Sequence, residues 1–99
     1  MEKDIRVIYK KPGQPAELLV IPNELRAFQR MVGGYIEAVR ATEDLVLLVN
    51  EDGRLTGLEP NICGLVGPII AVGIDGDEFA DVPDAAADLF WINAEEVRP

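Results

Sequence analysis

Residues 45–53 have the sequence LVLLVNEDG, in which five consecutive apolar residues end at a strong turn signal. A strand with two apolar faces is expected inside a sheet that is covered on both sides. The Asn50-Glu51-Asp52-Gly53 stretch fits a type I turn that closes on glycine. We therefore expect residues 45–49 to form a central strand and residues 54–58 to return as its partner.

Further strands are expected on both sides of this segment. Residues 5–10 place Ile5, Val7 and Tyr9 on one face, and residues 17–21 follow a turn at residues 12–15 (PGQP), so the two predict a hairpin. Residues 35–39, 69–74 and 79–82 also have strand patterns. Pro68 cannot donate to a ladder, so we expect an edge or a bulge there.

One helix is indicated between the hairpin and the third strand. Asn23 is a residue type that caps helix N-termini, and Gly33 stands where a residue with positive φ ends a helix. Apolar residues recur between them at helical spacing and predict one buried face: Leu25, Phe28, Met31 and Val32.

A second helix is expected over residues 84–92. Phe90 and Trp91 make it apolar all round, so it must dock on the domain or be shared with a partner. Five to seven strands with two helices predict one α+β domain over residues 1–99, with a mostly antiparallel sheet and both helices on one side.

Charge argues against direct nucleic-acid binding. The 99 residues contain 18 acidic and nine basic side chains, for a net charge of −9. Eight of the acids and a single base lie in residues 75–99. Because nucleic-acid binding depends on Lys and Arg displacing counterions, we expect no such binding.

The sequence favours a cytoplasmic protein. Cys63 is the single cysteine, so an intramolecular disulfide is excluded. Residues 1–4 show no signal peptide. The longest apolar stretch, residues 65–74, falls short of the roughly 20 residues that a membrane span needs, so we expect no membrane partner.

Residue types restrict the chemistry. The chain has neither histidine nor serine, so a Ser-His-Asp triad, a Cys-His pair and a His-based zinc site are excluded. No phosphate-binding glycine motif occurs. A carboxylate pair for glycoside hydrolysis remains compatible with the composition, but 99 residues leave little room for a cleft. We expect no enzyme activity, no cofactor and no metal site.

Two features have both a chemical and a structural interpretation. The carboxylates of residues 75–78 and Asp81 could hold a hard cation, although Ala80 stands where a calcium loop needs glycine, and a solvated turn is favoured. Cys63 could be reactive only beside positive charge. No base lies within eight residues of it, so a buried, inert thiol is expected.

The third feature is Gly33-Gly34-Tyr35. Successive glycine amides can form an anion-binding concavity, and Tyr35 could stack on a ring. The alternative is that Gly33 only ends the helix while Gly34 turns the chain into the next strand. Together with Asn61, these residues form the candidate ligand site.

Three stretches of the chain show a family resemblance: MVGGYIEAV at residues 31–39, LVNEDG at 48–53 and GLEPN at 57–61. In this order and spacing, and with residues 70–73 and the acidic turn after them, they resemble a bacterial family known as domain of unknown function 3846. The resemblance covers residues 5–82. It implies a small protein that phages, plasmids and other mobile elements frequently carry, with no established activity.

Three functions are compatible with these observations. The favoured one is a non-catalytic accessory protein that binds a protein partner through the apolar segment Leu89, Phe90, Trp91 and Ile92. A second is a protein that sequesters a small molecule at Gly33, Gly34, Tyr35 and Asn61. A third is an acidic DNA mimic that inhibits a basic host protein. A homodimer is also expected, because edge strands need cover.

Overall fold

The computed structural model describes residues 3–90 of the chain. It contains six strands and two α-helices: β1 (Asp4–Lys10), β2 (Glu17–Pro22), α1 (Leu25–Val32), β3 (Ile36–Thr42), β4 (Leu45–Asn50), β5 (Ile69–Asp75), β6 (Glu78–Ala80) and α2 (Ala86–Phe90). A 3₁₀ turn, Ile62–Gly64, precedes β5. The predicted α+β class is confirmed.

All strand pairs of the described sheet are antiparallel, and their order is β2-β1-β5-β4-β3. The predicted β1–β2 hairpin is confirmed. Gly73 of β5 pairs with Leu45 of β4 on one side and with Ala80 of β6 on the other. β6 therefore lies on the side of β5 that also pairs with β1. β5 is therefore the centre of the sheet, and β2 and β3 form its two edges.

The sheet is covered on both faces. Val46, Leu48, Ile70 and Val72 pack with α1 in one buried cluster. The alternating residues Leu45, Leu47, Val49, Ile69 and Ala71 pack with α2 in another. The expectation that both helices lie on one side is wrong, because consecutive residues of β4 and β5 face opposite ways and all of them are apolar.

The partner strand expected at residues 54–58 does not form. Both sides of β4 are already paired, with β3 and with β5, so no edge is left for a third strand. Residues 51–57 instead make consecutive turns, in which the Thr56 amide donates to Asp52 O at 2.9 Å and the Leu58 amide to Gly53 O at 2.9 Å. This segment, residues 51–58, is called the turn loop below.

Helix α1 differs from the prediction at its start. Glu24, not Asn23, is the N-cap residue. The side-chain amide of Asn23 donates instead to Phe79 O at 3.0 Å. Leu25 is 58% exposed, and Ala27, Phe28 and Val32 form the buried face. Gly33 has φ +81° and ends the helix as expected.

Residues 81–82, which follow β6, are hydrogen-bonded to β1. The Arg6 amide donates to the Asp81 carboxylate at 2.8 Å, and the Val82 amide donates to Arg6 O at 2.8 Å. Residues 81–82 therefore continue the sheet beside β1 and lead the chain to α2. Neither α1 nor α2 has the length and the apolar run that a bilayer crossing requires, and this holds for every helix within residues 3–90.

Candidate binding surface around strand β3

A groove of about 500 Å³ lies where the C-terminal end of α1 meets the turn loop. We call it the Tyr35 groove. Parts of all three resemblance stretches line it, although they are distant in sequence: residues 31–35, Asn50 with Asp52, and Leu58. Arg30, Thr56 and Pro68 complete its walls.

Asn50 holds the two walls of this groove together. Its side-chain amide donates to Val32 O at the end of α1, at 3.1 Å. Its side-chain oxygen accepts from the Asp52 amide at 2.8 Å. Because every helix end leaves carbonyl groups without helical partners, the first bond both satisfies the helix and fixes the loop. The sequence predicts Asn50 only as a turn residue, since this contact joins residues 18 positions apart.

Tyr9 supports the same helix end from the other side. Its hydroxyl donates to Met31 O at 2.6 Å. Burial, and secondarily the negative charge of Glu17, raises the pKa of the Tyr9 phenol above 10.0. The hydroxyl therefore stays protonated and continues to donate at neutral pH.

The backbone amides of Gly33 and Gly34 do not face the groove as anion donors. Both donate to Gln29 O, at 2.9 and 3.1 Å. The amides complete the end of α1, as in the alternative interpretation in which Gly33 ends the helix. What the groove presents is the Tyr35 side chain, which is 70% exposed, and the exposed Arg30.

Asn61 is not brought to the Tyr35 groove. Its side-chain amide donates to Lys10 O at 2.9 Å and to Gly67 O at 2.8 Å, and its oxygen accepts from the Ile62 amide at 2.8 Å. These bonds tie the loop before β5 to the end of β1. The structure thus places Gly33, Gly34 and Tyr35 together and assigns Asn61 to the support of the sheet.

The outer edge of β3 pairs with no strand in the described part of the chain. The Glu51 amide donates to Tyr35 O at 2.9 Å, which makes Tyr35 and Glu51 a hydrogen-bonded pair. Such pairs alternate along an antiparallel ladder. With the register Ile36↔Asn50, the N–H and C=O groups of Ile36, Ala38 and Arg40 point away from β4.

A second groove, of about 160 Å³, follows β3 on the opposite face of the sheet. We call it the Leu55 groove. Val39, Val49, Leu65 and Val66 form its apolar part, together with Leu55, whose side chain is 87% exposed. Glu37, Glu51 and Arg54 bring three charged groups to its walls. The free edge of β3 is thus flanked by one groove on each face.

Cys63 is exposed, so the prediction of a buried thiol is wrong. The residue has φ +60° within a tight 3₁₀ turn, a conformation that a run of apolar neighbours does not signal. Arg54 donates to the carbonyl of the adjacent Gly64 at 2.7 Å. A base nine positions away in the sequence is therefore close in space.

The apolar C-terminal segment is only partly described. Phe90 is buried in the core with Ala86 and Ala87, and Leu89 is 36% exposed. Trp91 and Ile92, the other two residues of the predicted interface, lie outside the described residues. The Phe90 side chain is therefore part of the hydrophobic core, because α2 packs against the sheet.

The acidic turn after β5 borders a depression of about 490 Å³ that also involves Lys3 and Asp4. Asp75, Glu78 and Asp81 line it, and Asp81 is already bonded to Arg6. Between residues 3 and 90, no three His, Cys, Asp or Glu side chains are grouped so that they could hold a metal ion.

Comparison with known proteins bears on the family alone. No curated protein and no solved structure matches the chain. A family model described as "Domain of unknown function (DUF3846)" matches residues 5–93, which include nearly all of the described sheet and both helices. Parts of the three stretches that carry the resemblance line the Tyr35 groove. The chain therefore belongs to the DUF3846 family.

Proposed function

We propose that the chain is a non-catalytic binding module, an accessory protein of a phage or other mobile element, that captures a partner protein by strand addition at the edge of β3. In strand addition an extended segment of the partner continues the sheet, and its side chains enter pockets on alternate faces. The observation that carries this proposal is the free edge of β3 with a groove on each face.

The opposite edge of the sheet supplies a contrast. The Asn23 amide donates to Lys3 O, so Lys3 and Asn23 form a hydrogen-bonded pair. Because such pairs alternate along an antiparallel ladder, the backbone polar groups of Leu18, Val20 and Pro22 point away from β1. Pro22 has no N–H to offer, and prolines are typical of edges that resist pairing. β3 offers three outward residues, at positions 36, 38 and 40, and each has a donor.

The side chains around β3 also favour an interface. Tyr35 and Leu55 are the two most exposed large apolar residues of the described chain, and each borders a groove beside this edge. Aromatic anchors are enriched where binding energy concentrates. Asn50 holds the Tyr35 groove in shape without a ligand, which reduces the ordering cost of binding.

A proline scan of the two edges tests the proposal. Ala38→Pro removes an outward donor of β3 and leaves the β3–β4 ladder intact, because the Ala38 amide does not bond to β4. Val20→Pro is the matched control, since it removes an outward donor of β2 at a side chain that is 66% exposed. Partner capture from a lysate of the producing cell is quantified by mass spectrometry for both variants and for the original chain.

We expect Ala38→Pro to reduce capture of the partner about ten-fold or more, which corresponds to roughly 1.4 kcal/mol, and Val20→Pro to have no effect. Urea unfolding of both variants is the check that they are folded. Equal capture by all three chains would contradict the proposal. A dimer of the original chain that Ala38→Pro converts to monomer would assign the edge to a second copy instead.

A second candidate function is the sequestering of a small molecule in the Tyr35 groove. Its volume of about 500 Å³ favours this function, since ligand sites range from about 300 to 1,000 Å³. A ring stacked on Tyr35 and an acidic group at Arg30 would suit its walls. Native mass spectrometry of the protein from its producing cell should then show an added mass that Tyr35→Ala removes, and bare protein would contradict this candidate.

A further inference from the structure

We propose that the Leu55 groove binds the side chain of one lysine or arginine in the extended partner segment. This inference rests on the proposed strand addition at β3. It adds the chemistry that the partner must have: a long aliphatic side chain with a positive end, at a position whose side chain projects on the α2 face of the sheet.

The groove has the shape and the apolar surface for such a side chain. Its volume of about 160 Å³ leaves room for one side chain and not for a folded element. Val39 and Leu65 are half-buried, and Val49 is 5% exposed. Leu55 lines the same groove, and its side chain is 87% exposed. Lysine and arginine bury their methylene stems along apolar surface of this kind while the charged end stays in water.

The charges at the rim select a positive end. In the described part of the chain, the carboxylates of Glu37 and Glu51 form no ion pair and no hydrogen bond. Arg54 lies at the same groove, but its guanidinium donates to Gly64 O at 2.7 Å. Arg54 keeps its positive charge, but the two carboxylates outnumber it, so the groove has a net negative charge and its carboxylates are free to accept from a ligand.

The register places the partner side chain at this groove. Glu37 and Val39 project on the α2 face, because Val39 packs with Leu47 and Val49. A partner residue opposite either of them projects on that face too, while its two neighbours project on the α1 face, beside Ala38 and the Tyr35 groove. One lysine or arginine flanked by residues that face the other way is therefore the expected pattern.

A phage-displayed library of random nine-residue peptides, selected on the full chain, tests the inference. Selected peptides are re-synthesised, and their affinities are measured for the original chain and for three variants. Ala38→Pro removes the edge donor. Glu37→Gln removes a rim charge, and Glu43→Gln removes an equal charge from the β3–β4 turn, outside the groove. Norleucine in place of the selected Lys or Arg keeps an aliphatic stem without the charge.

We expect peptides enriched in Lys or Arg at one fixed position, whose binding Ala38→Pro abolishes. Glu37→Gln and the norleucine peptide should each weaken binding about two- to five-fold, the range for exposed ion pairs, whereas Glu43→Gln should leave it unchanged. Peptides that need the Ala38 donor but show no basic preference would overturn this inference and leave the proposed function standing. Peptides indifferent to Ala38→Pro, or no enrichment at all, would overturn both.

Discussion

The Tyr9 hydroxyl links β1 to the end of α1 through its hydrogen bond to Met31 O. Replacing Tyr9 with Phe removes this hydrogen bond and keeps the ring. A net loss of about 0.5–1.5 kcal/mol in the free energy of unfolding is expected at neutral pH. Urea unfolding measures it.

The same variant should change how stability depends on pH. The pKa of Tyr9 is raised by folding above 10.0, so the unfolded chain loses the phenolic proton first. The stability that this group contributes is complete below about pH 10 and falls as the pH rises through the folded pKa. Tyr9→Phe should flatten this fall in urea titrations on the alkaline side. A decline as steep as that of the original chain would contradict the assignment.

Gly73 is required by close contact with the chain that follows β6. A Cβ at this position would collide with the carbonyl oxygen of Asp81, and the residue is buried between β4 and β6. Gly73→Ala should destabilise the fold by about 1–3 kcal/mol, as overpacking does. Ala71→Gly, the reverse exchange on the same strand, is the control for the general effect of glycine content on the stability of β5. An unchanged urea midpoint for Gly73→Ala would show that residues 81–82 move aside freely.

At this scale the sequence predicts residues whose role is local. Gly33 is predicted to end α1 from its place after an apolar repeat, and it does. Asn23 has the residue type of an N-cap, but its amide reaches Phe79, 56 positions away. The exposure of Cys63 depends on a left-handed turn between two loops. A contact between distant segments decides the role of Asn23, and a positive φ at a residue other than glycine decides that of Cys63; the residue types alone signal neither.

Among the elements, the junction of α1, β4 and the turn loop depends on Asn50. Asn50→Ala removes the bonds to Val32 O and from the Asp52 amide. We expect a loss of about 1–3 kcal/mol, because a helix carbonyl is left without its partner. Thermal unfolding measures this loss. Asn50→Asp keeps an acceptor for the Asp52 amide and loses only the donor, so it separates the two bonds.

Both bonds of Asn50 are expected to contribute, so Asn50→Asp should unfold between the original chain and Asn50→Ala. If Asn50→Ala unfolds at the same temperature as the original chain, the groove walls are held by other contacts. If it is destabilised and Asn50→Asp is not, the bond to the loop matters and the bond to α1 does not. An Asn50→Asp variant as unstable as Asn50→Ala would leave the bond to the loop without a measurable contribution.

Strand and helix identities are largely predictable from the sequence, and pairing is not. The apolar run at residues 45–49 and the alternation at residues 5–10 predict strands that the structure contains. The NEDG turn predicts a partner strand after it, yet β4 finds its partners in β3 and β5. A turn motif specifies a change of direction, whereas the free edges available in the sheet decide what pairs.

For the whole molecule, position in the sheet predicts the order of amide hydrogen exchange. Residues 69–72 of β5 are completely buried, and β5 pairs with other strands on both of its sides. Their amides should exchange most slowly, by opening close to global unfolding, and those of β2 and β3 should exchange through smaller openings. Hydrogen exchange followed by NMR measures the ranking. β5 amides that exchange as fast as those of β2 would contradict the topology.

The candidate surface is predictable only in part at this scale. Gly33, Gly34 and Tyr35 stand out because they are adjacent in the sequence, and a groove does lie beside them. The free edge of β3 does not follow from the sequence, because residues 54–58 are expected to pair with β4 and no pattern specifies the strand order. The Leu55 groove needs residues from β3, β4, the turn loop and the segment before β5, so it exists only once the sheet is assembled.

The strand order also bears on how the chain is made. The two hairpins, β1–β2 and β3–β4, are each local in sequence, yet they are joined in the sheet only through β5. While a ribosome is still synthesising residues 69–75, both hairpins have nothing between them and the inner edges of β1 and β4 are bare. An isolated two-stranded hairpin is only marginally stable in water, so the sheet cannot close until β5 is available to pair with β1 on one side and with β4 on the other.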